Sequence, residues 1–593
     1  MLLRLLTTTD LHGHLVAYDY IKGRSTQGGS LAGVARLIKE ARAEAEADDT
    51  PVLLLDNGDT FQGTPLATHL AEQEVTPDHP IVASLNHLRY DALGVGNHDL
   101  DHGMPYLRAV AEALDMPLVC SNLVSPRVAP LASYALLSVE MPQGAPAPLT
   151  VGVMSVLPEN TQLWQGHHLD PGASLEKPAE TVARVASDLK QSGADIVVVL
   201  AHMGVGHKDG ANNDTRAAQG ILESAHIDAL ILGHTHRRLP SADYASRAGV
   251  DLDKCTVGGV PAVMAGHAGS DLGVLDLGLE HTAPDGWKVT SHHSALRPNG
   301  PAIKPDPAIR GFAQTAHAQV VNHLDAHVAT SAQSMHSYFS LVSPAPTQNL
   351  VAQSKRALVA DALAGTSLGH LPVLATAPAH GAGGRDGLSN YTCIPNGPVL
   401  RRHIAGLNPF ANQTVGIRTT GTEMRNWLEH SALIFSQLTA KNKRQTLTNP
   451  DVPAFQFDTI FGLTYLIDPT APAGHRIRNF RHEGTPVEPD QEFILATSYF
   501  RARGGGGYSA AATDKIVIGF EQPLNDSMIN LLTSNAPVLK EYTPPWRFAP
   551  HLGVEATFLS HPQAVACLED IAHLHPTPLG ETSDGFIQIG ITL

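Results

Sequence analysis

The sequence predicts a layered α/β protein built from at least two domains, and three observations lead to that prediction. At 593 residues the chain is too long for one hydrophobic core. Through roughly the first 300 residues, short apolar runs alternate with stretches of helical spacing, the pattern of strands and helices stacked in layers. Several of those runs are apolar on both faces, as expected of strands covered on both sides.

Taken in order, LLRLLTTT (2–9) and VLLLDNG (52–58) are strand candidates, with a helix predicted between them over Leu31–Ala47. ALGVGN (92–97), LTVGVMSV (149–156), IVVVLAH (196–202), DALILGH (228–234) and GVLDLGL (273–279) continue the series. A proline-punctuated break from Pro298 to Pro307 precedes a helix predicted at Ala308–Leu324, which would bridge two domains. A second globular unit is expected from about His336. It has a helix at Ser354–Leu363, Gly/Pro loops at 381–398, and strand-like VGIRTT (415–420), FDTIFGLTYLID (457–468) and FILATSYF (493–500). Gly504–Gly507 reads as a flexible loop inside that unit.

Composition narrows the function. Apolar residues make up 43% and charged residues 16%, which suits a globular protein. The net charge of −17, from 57 acidic against 40 basic residues, disfavours tracking a nucleic-acid backbone, which needs a basic stripe. A small phosphate ester needs only local cations. Cys120, Cys255, Cys393 and Cys567 are scattered without a CxxC pair, so buried free thiols are expected rather than a disulfide framework or thiolate metal site. No stretch approaches the ~20 apolar residues of a membrane span. The opening MLLRLLTTTDLHGH lacks the apolar core of an export signal. The expected compartment is cytoplasmic as the chain is written, or periplasmic if such a signal was removed.

The chemistry is concentrated where apolar runs end. The first run ends in Asp10-Leu11-His12, the next in Asp59, then in Asn97-His98, in His202, and in Gly233-His234-Thr235-His236. Strand ends converge in open α/β sheets even when far apart in sequence. Alternate residues of an extended segment project to one side, so Asp10 and His12 can reach one ion, and so can His234 and His236. Carboxylate and imidazole without thiolate suit Mn, Zn, Co or Fe as divalent ions. A shared carboxylate can hold two such ions at the spacing used to clamp oxygens at phosphorus.

These blocks, TTDLHGH, DNGDTFQG, GVGNHDLDHG, VVLAHMG and LGHTH, resemble the five signatures of calcineurin-like metallophosphoesterases, and more narrowly the 5′-nucleotidase branch. The resemblance implies a four-layer αββα metallophosphoesterase domain over 1–300, a helical linker over 301–335 and a C-terminal α/β nucleotide-binding domain over 336–593. It implies that Asp10, His12 and His236 hold one metal and Asn97, His202 and His234 the second, with Asp59 bridging both. His98 and Asp101 match its catalytic dyad: a cationic imidazole stabilising charge on the phosphoryl group, oriented by a carboxylate. The nucleophile would be a water that the two ions acidify.

LNPFANQTV sits where the branch has its aromatic-x-Asn loop, and LATSYFRARGG matches the opposing aromatic loop. By that resemblance Phe410 and Phe500 would sandwich a base, Asn412 would contact it, and Gly383, Gly384 and Arg385 would approach the ribose or phosphate. The branch usually has tyrosines at the two ring positions. AYDYIKG, FDTIFGLTYLID, FRARGGGGY and PPWRFAP resemble blocks of the bacterial 2′,3′-cyclic-nucleotide 2′-phosphodiesterase/3′-nucleotidases. The likeness runs from about residue 3 to 550 and leaves the last ~40 residues, from Leu552, unassigned. It implies hydrolysis of nucleoside 2′,3′-cyclic phosphates to 3′-nucleotides, and of these to nucleoside and phosphate, with small nucleotides as partners. A monomer is expected, and the charge balance and the lack of an apolar span lead us to expect neither nucleic-acid polymer nor membrane as partner. The rival expectations are a 5′-nucleotidase or nucleotide-sugar hydrolase with the same metals, a catalytically silent nucleotide-binding protein, and a DNA-processing nuclease, which the acidic balance disfavours.

Overall fold

A computed structural model of the chain describes residues 1–127, 129–206, 226–245, 247–283, 286–384, 387–408, 413–439, 444–450, 452–509, 513–534, 543–551 and 553–593. They form two compact units, Met1–Asn322 and His323–Leu593.

The first unit is a sandwich of two sheets. In the first sheet, strand Leu2–Thr8 lies between parallel Val52–Asp56 and antiparallel Asp271–Thr282. Ala92–Gly94 and Leu118–Val119 extend one side and Gly286–Pro298 the other. In the second sheet, Ile196–Ala201 lies parallel to both Leu149–Val156 and Ala229–Leu232, and the latter runs parallel to Val260–Ala265. Leu3, Leu5, Leu53 and Leu55 of the first sheet pack with Val151, Val153, Val198 and Leu200 of the second in one core.

The opposite faces carry the other apolar residues, which is why the strands read as apolar on both sides. Val197 and Val199 meet Val182, Val185 and Leu189 of helix Pro178–Gln191. Helix Leu31–Ala47 covers the first sheet at strand Asp271–Thr282. Its buried Leu31, Val34, Ala35, Ile38, Ala41 and Ala45 recur at helical spacing, and Ser30 caps its start by accepting from the Gly33 N–H (3.1 Å). Helix, sheet, sheet and helix make the four layers.

Helix Pro307–Leu324 begins where Asp306 accepts from the N–H groups of Ala308 and Ile309 (2.9 and 3.3 Å). Its Ile309 and Ala313 are fully buried. Among the described residues, no helix is long and apolar enough to cross a membrane.

The second unit is built around a five-stranded sheet ordered Asp458–Phe461, Val373–Pro378, Glu492–Ser498, Thr414–Thr420, Ile516–Phe520. The helix predicted at Ser354–Leu363 starts earlier, at Pro346, where proline is compatible with a first helical turn. FDTIFGLTYLID is two strands, Asp458–Phe461 and Leu463–Ile467, broken at Gly462 with φ +100°. Strand Glu492–Ser498 stops because Ser498 caps a one-turn helix, Tyr499–Ala502, so Phe500 stands on helix rather than strand.

The unassigned C-terminal residues supply antiparallel strands to a small sheet. Strand Glu555–Ser560 pairs with Ile587–Thr592, which pairs with Thr577–Glu581, and Phe558, Ile589 and Ile591 join the core of Tyr338 and Phe435. Of the four thiols only Cys120 and Cys255 are buried; Cys393 is exposed and Cys567 half-buried.

Candidate metal centre

The parallel strands of both sheets end at one edge of the first unit, and the residues that follow them carry the ligand side chains. The segment after Thr8 is tied to the one after Asp56 by backbone bonds: Asp10 N–H to Gly58 O (2.9 Å) and His12 N–H to Asp59 O (2.8 Å). Asp10, His12, Asp59, His234 and His236 all have φ between +47° and +65°. Left-handed backbone is uncommon outside glycine and accumulates where surrounding structure over-determines it, notably at functional sites.

Six of the seven predicted ligands fall into two groups whose candidate donor atoms lie within 4.8 Å of one another: Asp10, His12 and His236, and Asp59, His202 and His234. His12 Nε2 and His236 Nε2 face each other at 3.0 Å. His202 Nε2 lies 3.0 Å from Asp59 Oδ2 without hydrogen-bond geometry, and His12 Nε2 lies 3.8 Å from the same oxygen. One carboxylate oxygen of Asp59 therefore addresses an imidazole of each group. The seventh, Asn97, is buried, and its Oδ1 has no partner among the described residues.

The donor chemistry fits divalent cations. Burial pulls His12 down to about 4 and His234 to about 3, and also lowers His236, favouring the neutral form that ligates, whereas His202, despite its burial, is pushed up to about 10 by Asp59 and Asp10. Burial alone would raise Asp59, but His202 and His98 outweigh it and hold the carboxyl well below its ordinary value. Backbone comes so close that a methyl group at Gly96 would meet Asp59 Oδ1 at 2.2 Å, and one at Gly233 would meet Asp10 Oδ2 at 2.7 Å. These two glycines leave the space the carboxylates occupy.

His98 sits at the rim, half-buried. Its N–H donates to Asp59 Oδ1 (2.7 Å) and its Nδ1 pairs with Asp101 Oδ2 (2.9 Å). Burial opposes protonation of this ring, but Asp101 and Asp59 together lift it to about 9.

Sequence reasoning missed the residue that organises these loops. Asp99, fully buried, accepts four backbone N–H groups: Asp59 and Gly96 on one oxygen (2.8 Å each), Thr60 and Phe61 on the other (2.8 and 2.9 Å). An acid inside a Gly-Asn turn was the available signal. Asp99→Ala should orphan all four donors at about 1–3 kcal/mol each, lowering the thermal transition of the first unit by about ten degrees or more and reducing bound metal. Asp99→Asn, which keeps one accepting oxygen, should fall between. Calorimetry with metal analysis checks both; a wild-type transition in Asp99→Ala would refute the assignment.

In the second unit Gly383 and Gly384 have left-handed backbone, φ +72° and +71°. Phe500 is half-buried with one face against Gly505, where an added methyl would meet three ring atoms at 2.6 Å. Arg385, Phe410 and Asn412 lie outside the described residues. Arg501, beside Phe500, is buried on Asp458 (3.0 Å) and serves the fold.

Fold and donor set define a metal-dependent phosphoester hydrolase, and comparison with known proteins agrees. Residues 3–238 match the calcineurin-like phosphoesterase family and residues 327–513 the 5′-nucleotidase C-terminal domain. The chain is 32% identical over 549 residues to the 2′,3′-cyclic-nucleotide 2′-phosphodiesterase/3′-nucleotidase of Salmonella typhimurium, covering 88% of this chain and 84% of that one. It is 30% identical over 583 residues to the trifunctional nucleotide phosphoesterase protein YfkN of Bacillus subtilis, covering 94% of this chain but only 40% of that longer protein. The fold matches the crystal structure of a 5′-nucleotidase precursor from Thermus thermophilus, with TM-score 0.63 and 20% identity over 93% of this chain and all of that one. The chain belongs to the family of 2′,3′-cyclic-nucleotide 2′-phosphodiesterase/3′-nucleotidases.

Proposed function

We propose that the protein hydrolyses nucleoside 2′,3′-cyclic phosphates to 3′-nucleotides and then 3′-nucleotides to nucleoside and phosphate, using two divalent ions. The observation that carries the chemistry is the meeting of two carboxylate–imidazole groups around Asp59; family membership carries the substrate class. Asp10, His12 and His236 would hold one ion, Asn97, His202 and His234 the other, and Asp59 both. An all-nitrogen-and-oxygen donor set selects Mn, Zn, Co or Fe. Bound there, the ions would polarise phosphoryl oxygens and acidify a water toward neutral pH.

The chain's own residues do the rest. His98 spends Nδ1 on Asp101 and has no partner for Nε2 among the described residues. A protonated Nε2 offers charge, and then a proton, to the phosphoryl group and departing ribose oxygen. Asp101 keeps the ring oriented and basic. Domain roles follow the same division: the chemistry in residues 1–300, the helical linker 301–335, and base and ribose recognition in 336–593. In the last of these, Phe410 and Phe500 flank the base, Asn412 contacts its edge, and Gly383, Gly384 and Arg385 attend the ribose or phosphate.

The test is phosphate release from 2′,3′-cyclic AMP, 3′-AMP and 5′-AMP by chelator-stripped protein with defined ions restored. Cyclic AMP should pass through 3′-AMP to adenosine, with 5′-AMP much slower. A preference for 5′-AMP would establish the 5′-nucleotidase reading, and no phosphate from any substrate the silent one.

Base recognition has its own test. Phe500→Ala should weaken 3′-AMP binding by roughly 1–3 kcal/mol, the worth of one stacked ring. Hydrolysis of bis(p-nitrophenyl) phosphate, which has no base, should hardly change. Equal losses on both would make Phe500 a packing residue.

A further inference from the structure

The imidazoles of the metal centre are held in two different ways. His12 and His202 each direct the second ring nitrogen at a backbone carbonyl: His12 Nδ1 at Gln62 O and His202 Nδ1 at Asn57 O, both 2.8 Å. Such a bond fixes ring orientation and tautomer and raises donor strength. His234 and His236 have no corresponding hydrogen bond among the described residues. Each is covered by a ring instead. Trp164 stacks on His234 with centroids 5.6 Å apart and planes 18° apart, and His267 stacks on His236 at 4.7 Å and 10°. Each ligand group therefore contains one carboxylate, one hydrogen-bonded imidazole and one stacked imidazole.

The covering rings come from segments anchored to the same edge of the fold. Trp164 lies in helix Thr161–Gln165, five residues beyond strand Leu149–Val156, and its N–H donates to Asn160 O (3.0 Å). His267 lies in the turn after strand Val260–Ala265, and the next residue, Ala268, donates its N–H to the carbonyl of Asp10 (2.7 Å). The turn is thereby tied to the ligand segment whose ion it would influence. Without a second hydrogen bond an imidazole rotates about its Cβ–Cγ bond at little cost. A face-to-face ring removes that freedom sterically and leaves the donor strength unassisted.

We infer that Trp164 and His267 are positioning residues that lock the two stacked ligands, His234 and His236, in plane, taking the place of the carbonyls that lock His202 and His12. The inference rests on the two-ion reading above. Its consequence is an asymmetry within each group. The hydrogen-bonded imidazole is a fixed ligand. The stacked one depends on a neighbouring aromatic face, so each ion can be weakened through a residue outside the ligand set.

The experiment uses the full chain, stripped with chelator and titrated with Mn²⁺ under equilibrium dialysis, with ions per chain counted by elemental analysis. Turnover of bis(p-nitrophenyl) phosphate is followed separately for kcat and KM. Trp164→Ala should weaken one of the two ions by roughly 10–100-fold, the usual effect of losing a ligand-orienting neighbour, so that limiting Mn²⁺ yields one ion per chain. Turnover at saturating Mn²⁺ should recover. Trp164→Phe, which restores a flat face, should bind two ions almost as wild type. His267→Ala and His267→Phe should repeat the pattern, and the double alanine variant should weaken both ions.

Two ions in wild type and unchanged affinity in both alanine variants would overturn the inference alone. So would a folded Trp164→Phe as weak as Trp164→Ala, because stacking would then not be the cause. Fewer than two ions in wild type would overturn the two-ion reading, and this inference with it.

Discussion

Asp59→Asn is expected to abolish most activity and to do so by emptying the centre rather than by slowing an intact one. A single oxygen of Asp59 lies 3.0 Å from His202 Nε2 and 3.8 Å from His12 Nε2, one imidazole from each ligand group. The side chain is 1% exposed, and the surrounding imidazoles hold it ionised. Asparagine keeps the size and removes the charge. Removing one member of a buried charged cluster typically costs about 3–5 kcal/mol, which expressed as ion affinity is roughly 10²–10⁴-fold. The other oxygen also receives the His98 N–H, so the rim imidazole should lose an anchor in the same variant. Metal per chain and turnover must be measured together. Retention of two ions at near-normal rate would remove Asp59 from the shared position.

His98→Ala is expected to give the opposite signature: full metal content with the chemical step slowed roughly 10²–10⁴-fold, the contribution of a positioned proton donor and charge stabiliser. Its side chain contacts Asp101 and belongs to neither ligand group. Asp101→Asn should lower the rate less, because the ring keeps its backbone anchor on Asp59 but loses a charge that supports its cationic form. Single-turnover rates at saturating ion separate this from weakened binding. Metal loss in proportion to activity would make His98 a structural neighbour of the ligands and end its role as a dyad member.

Much of this was legible in the sequence where one-dimensional signals are strong. Helix Leu31–Ala47 and strand Leu149–Val156 have the bounds that their apolar spacing predicts. The ligand residues are visible because each follows an apolar run, and a run that ends in Asp or His is unusual in itself. What escaped depends on neighbours distant in sequence or on backbone geometry. Trp164 lies seventy positions from the His234 it covers, inside a five-residue helix with no periodic pattern. Asp99 resembles any acid in a turn until the four donors converging from two loops are seen. Phe500 read as strand because ILATSYF continues the β-rich composition, although Ser498 is a capping residue at which the chain changes direction. The C-terminal residues match none of the motifs that place the rest of the chain. Their alternating Ile587, Ile589 and Ile591 show only the packing they perform.

Strand Leu2–Thr8 has a neighbour on each side, and the two arrive at very different times during synthesis. Its parallel partner, Val52–Asp56, follows within about fifty residues, whereas Arg4 pairs with Asp276 across a separation of 272 residues. At a translation rate of about 5–20 residues per second, that gap lasts roughly 15–55 s. For that interval one edge of the first strand waits unpaired, an exposure that invites association with other chains. The ion-binding groups mature on the same schedule, because each joins a residue near the N-terminus to His234 or His236. A nascent or truncated chain that stops before them possesses two of the three members of each group, so complete ion binding would report that synthesis has passed His236.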